Sequence, residues 1–220
     1  NPYDEYAVEA GAQFVENGKG DCTLIAVGRS DMTKTIRNAI AKAANKAGSI
    51  AFSKVHHLIV NETQESHAVA EKVAEVIKAE EADLVFLGKQ YIDDDNYLMA
   101  PYLAEKLDFQ SVTVVTEMEI GDSTVQVKRE IEGGSESYTL QTPAVISLQK
   151  GVNEPRYAGM KGIMKAKKVA IESQEISLDH PLISIQKIEQ PAQKAAGRII
   201  DGDNAVAELA AALREEAKVI

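Results

Sequence analysis

The apolar residues of this chain change their spacing repeatedly, and each change predicts a new element. Pro2 ahead of Asp4 and Glu5 opens a helix, since proline fits a first turn and carboxylates favour the positive end of the helix dipole. That helix is expected to reach Glu16. Asn17-Gly18-Lys19-Gly20-Asp21 reads as a turn, and Cys22 to Val27, apolar on both faces, as a fully buried strand. Ile36, Ala39, Ile40, Ala43 and Ala47 then recur at three and four, which predicts a helix over Thr33 to Lys46 that Gly48 ends. Val55 to Val60 is the next strand. Ser66 to Ala79 is a helix carrying Val69, Val73, Val76 and Ile77, and Asp83 to Leu87 is a third strand. Strand and helix alternating at short spacing imply a parallel sheet covered on both faces, with ligands bound beyond the carboxyl ends of its strands.

After a helix over Tyr97 to Leu107 the period changes. Ser111 to Glu117, Val125 to Ile131, Ser137 to Leu140 and Ala144 to Leu148 are short strand-like runs. Gly121-Asp122 and Gly133-Gly134 separate some of them, which predicts antiparallel hairpins. Pro155, Pro181 and Pro191 punctuate a long irregular stretch, and an amphipathic helix over Asn204 to Ala217 closes the chain. Irregular chain of that length needs water or a partner surface for its backbone groups. Either the C-terminal third lies on another subunit, or residues 183–189 add an edge strand and the last helix packs on the same core. The expected fold is α/β: a Rossmann-like parallel sheet with flanking helices, an antiparallel hairpin region and an extended C-terminal arm. The expected division is 1–182 for the α/β domain and 183–220 for the arm.

Composition narrows the class. The chain has 220 residues, 45% apolar, enough to sustain a core without cross-links. Its single cysteine, Cys22, excludes an internal disulfide or a multi-thiolate metal site and fits a reducing compartment: the cytoplasm, or the mitochondrial matrix in a eukaryote. The apolar runs Leu24 to Val27 and Leu84 to Leu87 are strand length, so the chain is not expected to be membrane-embedded. A net charge of -10 argues against nucleic acid. The charge is uneven, however. Lys150, Arg156, Lys161, Lys165, Lys167 and Lys168 against Glu154 make residues 150–168 a local +5, leaving -15 elsewhere. The chain opens at Asn1-Pro2 without methionine, which suggests that an upstream segment was removed or lies outside it.

Two segments carry candidate chemistry. Gly88-Lys89-Gln90-Tyr91-Ile92-Asp93-Asp94-Asp95-Asn96 follows a buried strand and precedes a helix, where backbone N–H groups and a helix N-terminus can meet an anion. Its aspartates would repel a phosphate and suit ribose hydroxyls or adenine; equally, they could cap the next helix. The second is Val152-Asn153-Glu154-Pro155-Arg156-Tyr157, followed by Gly162-Ile163-Met164-Lys165-Ala166-Lys167-Lys168. It is either a proline turn offering an exposed aliphatic anchor with a basic rim or a solvated basic loop. Neither a glycine-rich dinucleotide fingerprint, a Walker loop nor a nucleophile elbow is present. His56 and His57 are strand neighbours that point to opposite faces and cannot share a metal. His67 and His180 are isolated, so no metal or catalytic group is expected.

Together these segments resemble the beta subunit of electron transfer flavoprotein. The residues that carry the resemblance are Asn1-Pro2-Tyr3-Asp4-Glu5-Tyr6-Ala7-Val8-Glu9, Gly88-Lys89-Gln90 with Ile92-Asp93-Asp94-Asp95, Arg129-Glu130-Ile131-Glu132-Gly133-Gly134, Asn153-Glu154-Pro155-Arg156-Tyr157, and Ile163-Met164-Lys165-Ala166-Lys167-Lys168. The resemblance implies a heterodimer whose alpha subunit holds most of the FAD while the beta subunit binds AMP or, in some members, a second FAD. Electrons would arrive from acyl-CoA or related flavin dehydrogenases, as in fatty acid β-oxidation. They would leave to a downstream acceptor, the beta subunit doing no bond chemistry of its own.

By the same resemblance Asn1, Pro2, Tyr3 and Asp4 match the first nucleotide-contacting turn, Val27 ends the strand beside the adenine, and Gly88 to Asn96 form the adenosine loop. Leu148, Gln149, Lys150, Gly151, Val152, Asn153, Glu154, Pro155, Arg156 and Tyr157 would form the partner recognition loop, with Val152 as anchor and Lys165, Lys167 and Lys168 steering acidic partners. Two departures stand out. Where the family supplies polar side chains and a glycine for the phosphate, this chain has Tyr97-Leu98-Met99-Ala100, and Gly-Ala-Asp after the second helix reads Ala43-Ala44-Asn45. Losing a side-chain donor to a charged group typically costs roughly 1.5 to 3 kcal/mol. The family's first strand, inside the sheet, is expected to be missing from this chain. Alternatives are a stand-alone adenine-nucleotide sensor of the same fold, or a degenerate paralogue that has lost the nucleotide.

Overall fold

The structure, a computed structural model, describes residues 1–61, 65–178, 182–183, 186–193 and 196–220; His180 and Pro181 lie outside them. The chain divides into two compact units, Asn1–Ser184 and Ile185–Ile220. In the first, α1 (Asp4–Glu16) leads to β1 (Cys22–Gly28), then α2 (Thr33–Lys42), β2 (Phe52–Ile59), α3 (Ser66–Ala79), β3 (Leu84–Gly88) and α4 (Met99–Leu107). The alternation predicted from the apolar periods is therefore present. α2 stops four residues early, because Asn45 redirects the chain: its side-chain oxygen accepts the Ser49 N–H at 2.9 Å and its carbonyl the Gly48 N–H at 2.8 Å.

The second half holds β4 (Gln110–Ile120), β5 (Thr124–Ile131), β6 (Gly134–Gln141) and β7 (Ala144–Leu148). β4, β5 and β6 form the expected antiparallel meander. β7 does not join it as a hairpin arm. It runs parallel to both β3 and β4 and inserts between them, in the order β3-β7-β4-β5-β6. Every residue of β7 is buried, the property of a strand covered on both faces. The stretch expected to be irregular contains α5 (Met160–Ala166) and the short β8 (Glu172–Glu175), which pairs parallel with β2.

The parallel strands fall into two sheets, since β1-β2-β8 is separate from the five-stranded sheet and no ladder joins β1 to β3. Helices bridge them. On one side α1 places Tyr6, Ala7 and Ala10 on the core of the larger sheet and Val8, Ala12 and Val15 on that of the smaller. On the other, Ile25 and Val27 of β1 and Val85 and Leu87 of β3 share one apolar cluster with α3 and α4. Burial of these side chains, at about 25 cal/mol per Å² of apolar surface, is what holds the sheets together where the ladder is interrupted.

In the second unit, α6 (Ala205–Ala211) continues into a widened π-type turn over Ala212–Glu216, and neither contains a buried residue. Of the alternative strand at 183–189, residues 184–185 lie outside the described residues and the others are not in a strand.

Candidate functional site

Val27 near the carboxyl end of β1 and Leu87 near that of β3 pack against one apolar cluster, and ligands of open α/β sheets bind beyond the carboxyl ends of the strands. The β3 end meets the start of α1. Asp4 Oδ1 accepts the Gly88 N–H at 2.9 Å, and Asn1 Nδ2 donates to the Gln90 carbonyl at 2.8 Å. Gly88 is required by this approach: a Cβ there would fall 2.6 Å from Asp4 Oδ1 and 2.7 Å from the Tyr3 carbonyl carbon. The Lys89 N–H donates to Leu148 O at 3.0 Å, tying the loop to β7. Its ammonium lies 4.8 Å from the centre of the Tyr3 ring and 5.5 Å from that of Tyr97. Two predicted segments far apart in sequence, Asn1 to Asp4 and Gly88 to Asn96, are thus one structure. Val27 joins them through the apolar cluster that also receives Leu87 and Tyr91.

Within the loop the polar groups mostly satisfy one another. Asp94 accepts from Ser66 Oγ at 3.4 Å and from Asn96 Nδ2 at 2.6 Å, and Asn96 Nδ2 also reaches Ser66 Oγ at 3.0 Å. Asp93 accepts the Asp94 N–H at 3.1 Å, and Gln90 Nε2 donates to Asp95. The cap predicted for the aspartates is not made: the helix has Leu98 at its N-cap with no side-chain cap, and Asn96 Oδ1 accepts the Leu98 N–H at 3.0 Å in the turn that precedes it. α4 accordingly starts at Met99 rather than Tyr97. Burial pushes the Asp4 carboxyl up, against the lowering effect of the Gly88 N–H and the Asn1 side chain. Burial, then the charges of Asp4, Asp94 and Asp93, pushes the Tyr91 hydroxyl above its usual range. One buried acceptor, Gln90 Oε1, has no donor. A buried acceptor without a partner costs about 1–3 kcal/mol, so a ligand hydroxyl or amino group there would be favoured.

The Leu148–Tyr157 segment is built differently from its prediction. Leu148 is fully buried, while Lys150 and Glu154 are exposed. Gln149 donates its N–H to Val115 O at 3.1 Å. Gly151 lies against Thr116. Val152, expected to stand free as an aliphatic anchor, is half-buried against the core of the larger sheet. The loop is drawn onto α1: Asn153 Nδ2 donates to Tyr6 O at 2.9 Å, and Arg156 grips two glutamates. Its Nε and Nη2 meet the Glu9 carboxylate at 2.8 and 2.7 Å, its own N–H reaches Glu9 at 3.2 Å, and Nη1 meets Glu16 at 2.6 Å.

Arg156 therefore belongs to the fold and not to a free basic rim. Burial pushes the Glu9 carboxyl up, but the hydrogen bonds from the Arg156 side chain, from Gln13 and from the Arg156 N–H outweigh it, and the net shift is down. What the turn exposes is Tyr157, at 95%, beside half-buried Pro155. Beyond it Met160, Ile163 and Met164 lie exposed on α5 among exposed Lys161, Lys165, Lys167 and Lys168. The spacing of Met160, Ile163 and Met164 at three and four was the available signal for that face.

The histidines separate as strand geometry predicts. His57 is buried with Nε2 3.3 Å from Gly28 O, while His56 faces Glu80 at 3.2 Å and Glu172 at 3.5 Å. A groove of about 480 Å³ beside His56, Glu80 and Glu172 lies outside the loop region. Among the described residues no helix is long and apolar enough to cross a membrane.

Comparison with known families and proteins points one way. The family described as electron transfer flavoprotein domain matches residues 1–179. The electron transfer flavoprotein subunit beta of Bacillus subtilis is 33% identical over 234 residues, covering 100% of this chain and 87% of the relative. That of Bradyrhizobium diazoefficiens is 32% identical over 226 residues, covering 100% and 86%. That of Mus musculus is 35% identical over 205 residues, covering 90% and 78%.

Proposed function

We propose a function from the fact that this chain belongs to the electron transfer flavoprotein family, as a beta subunit. It pairs with an alpha subunit that holds most of the FAD. The pair accepts electrons from flavin dehydrogenases of the acyl-CoA type and passes them to a downstream acceptor. FAD, when bound, supplies the redox chemistry, and this chain supplies a rigid surface and a second, adenine-binding site.

The observation that supports the second site is the union of two distant segments at the carboxyl end of the parallel strands, around an acceptor that the protein leaves unpaired. The ligand there is the adenosine part of AMP, or of a second FAD. Gln90 Oε1 accepts from it, the loop carboxylates receive ribose hydroxyls, and Gly88 keeps the backbone close. The Cys22 thiol is pushed up to about 11 by burial and plays no part in the chemistry.

Co-expression with an alpha subunit tests the assembly. Gel filtration is expected to give a 1:1 complex with flavin absorbance, able to take electrons from a flavin dehydrogenase. A chain that stays monomeric and colourless beside its partner overturns the reading.

A further inference from the structure

We propose that His56 is a proton-operated clamp on β8: with both ring nitrogens protonated it ties Glu172, the first residue of the strand, to β2, and with one proton lost it lets the strand loosen. The inference is independent of the electron-transfer reading.

β8 depends on contacts of this kind. It is an edge strand of four residues, none of them buried, and its ladder is with β2. It is also the last strand before the second unit starts at Ile185. In register His56 stands opposite Glu172, and both line the groove that α3 borders with Glu75, Val76, Ala79 and Glu80. The His56 side chain is largely covered there, at 16% exposure.

Each ring nitrogen faces a carboxylate. Nε2 lies 3.2 Å from Glu80 Oε1, and Nδ1 lies 3.5 Å from Glu172 Oε2. An ionised carboxylate only accepts, so the Glu80 contact keeps a proton on Nε2. In the neutral ring Nδ1 then carries a lone pair, set against the lone pairs of Glu172. In the imidazolium both nitrogens donate, and the same geometry becomes attractive on both sides.

The other groups around the ring do not switch in the same way. Glu80, just past the end of α3, is met by Lys54 at 2.8 and 3.0 Å and by Thr23 Oγ1 of β1 at 3.4 Å. The Lys54 charge also acts on Glu172, but it is constant over the range in which a histidine titrates. Glu75 of α3 is engaged by Lys72 at 3.1 Å. His57 points to the opposite face, toward Gly28 O. The change in charge beside Glu172 near neutral pH therefore belongs to His56.

The test is amide hydrogen exchange of the full chain, expressed as protection relative to the unstructured rate at each pH. The reporter is the Ile176 N–H, which donates to Ile59 O at 2.9 Å just beyond β8. The reference is the Gln149 N–H in the larger sheet, which donates to Val115 O at 3.1 Å. From about pH 8 to about pH 5.5, across the ordinary range of a histidine, protection at Ile176 is expected to rise about two- to fivefold, the scale of a partly exposed ion pair. Gln149 is expected to stay level. His56→Gln, which keeps a donor for Glu80, and Glu172→Gln, which removes the charge on β8, should each abolish the rise. A flat wild-type profile overturns the proposal, as does an equal rise at Gln149 or a rise that persists in either variant.

Discussion

Glu9 shows how one residue joins the two ends of the chain. It is buried in the middle of α1, and its carboxylate is met by Arg156, more than a hundred residues away, and by Gln13 one turn on. Removing one partner of a buried ion pair leaves an uncompensated charge, which costs far more than the pair contributes. Arg156→Met is therefore expected to lose about 3 kcal/mol at neutral pH, read as a lower urea midpoint. The pH dependence has a definite sign. The Glu9 carboxyl lies below its ordinary 4.5 in the folded protein, so its contribution is present above that value and is lost as pH falls through the folded value. The gap in urea midpoint between Arg156→Met and the wild type should narrow on going to about pH 3; a gap independent of pH excludes Glu9 as the partner that matters. Glu9 and Glu16, seven apart, visibly share a face of α1 in the sequence. Nothing local announces the arginine they meet, because such pairing is decided by tertiary packing. The same limit applies to Gln90: its place in the loop was legible, its buried unpaired oxygen was not.

At the scale of elements, the apolar periods located β1, α2, β2, α3 and β3, while α1 was legible from Pro2, Asp4 and Glu5 and the short helical turn Ser30–Met32, which buries nothing, was not. They failed where an element is short or packs through small residues. β7 was found but given the wrong neighbours: a strand buried on both faces lacks the alternation of a hairpin arm, and its partners lie far off in sequence. β8 has every residue exposed and so no apolar signal at all. α5 is hidden for another reason: its inward positions are Gly162 and Ala166 and its outward ones are apolar, the reverse of the usual pattern. Small inward residues let it approach α2 closely. A Cβ on Gly162 would fall 2.6 Å from Ala41 O and 2.8 Å from Ala44 Cβ, and Arg37 of α2 holds the far end of α5 by donating to the Ala166 carbonyl and, at 3.0 Å, to that of Val169. Gly162→Ala would improve helix propensity on an exposed helix. Here it is expected to destabilise by about 1–3 kcal/mol through overpacking, and to speed tryptic cleavage at Lys161 and Lys165 as α5 is pushed off α2. A change toward greater stability would show that α5 does not pack as described.

At the scale of the whole molecule, the two units differ in what holds them. Asn1–Ser184 contains the three apolar clusters, whereas in Ile185–Ile220 Ile188, Ile199, Val206, Leu209, Val219 and Ile220 are exposed and Ile200 and Leu213 only half-buried. The Arg198–Glu216 pair at 2.7 Å joins groups that are both largely in water, and such pairs contribute little. A helix as short as α6 is marginal in isolation, because nucleation costs more than a few hydrogen bonds return. α6 has no buried residue, and on the proposed function an alpha subunit is the surface that would cover it. Amides of α6 in the free chain are accordingly expected to exchange within seconds, while those of β4, β7 and α3 stay protected. In the heterodimer α6 should gain protection comparable to the core strands. Equal, fast exchange of α6 in both states would show that the C-terminal unit takes no part in the subunit contact, and would move that contact onto the α/β unit itself.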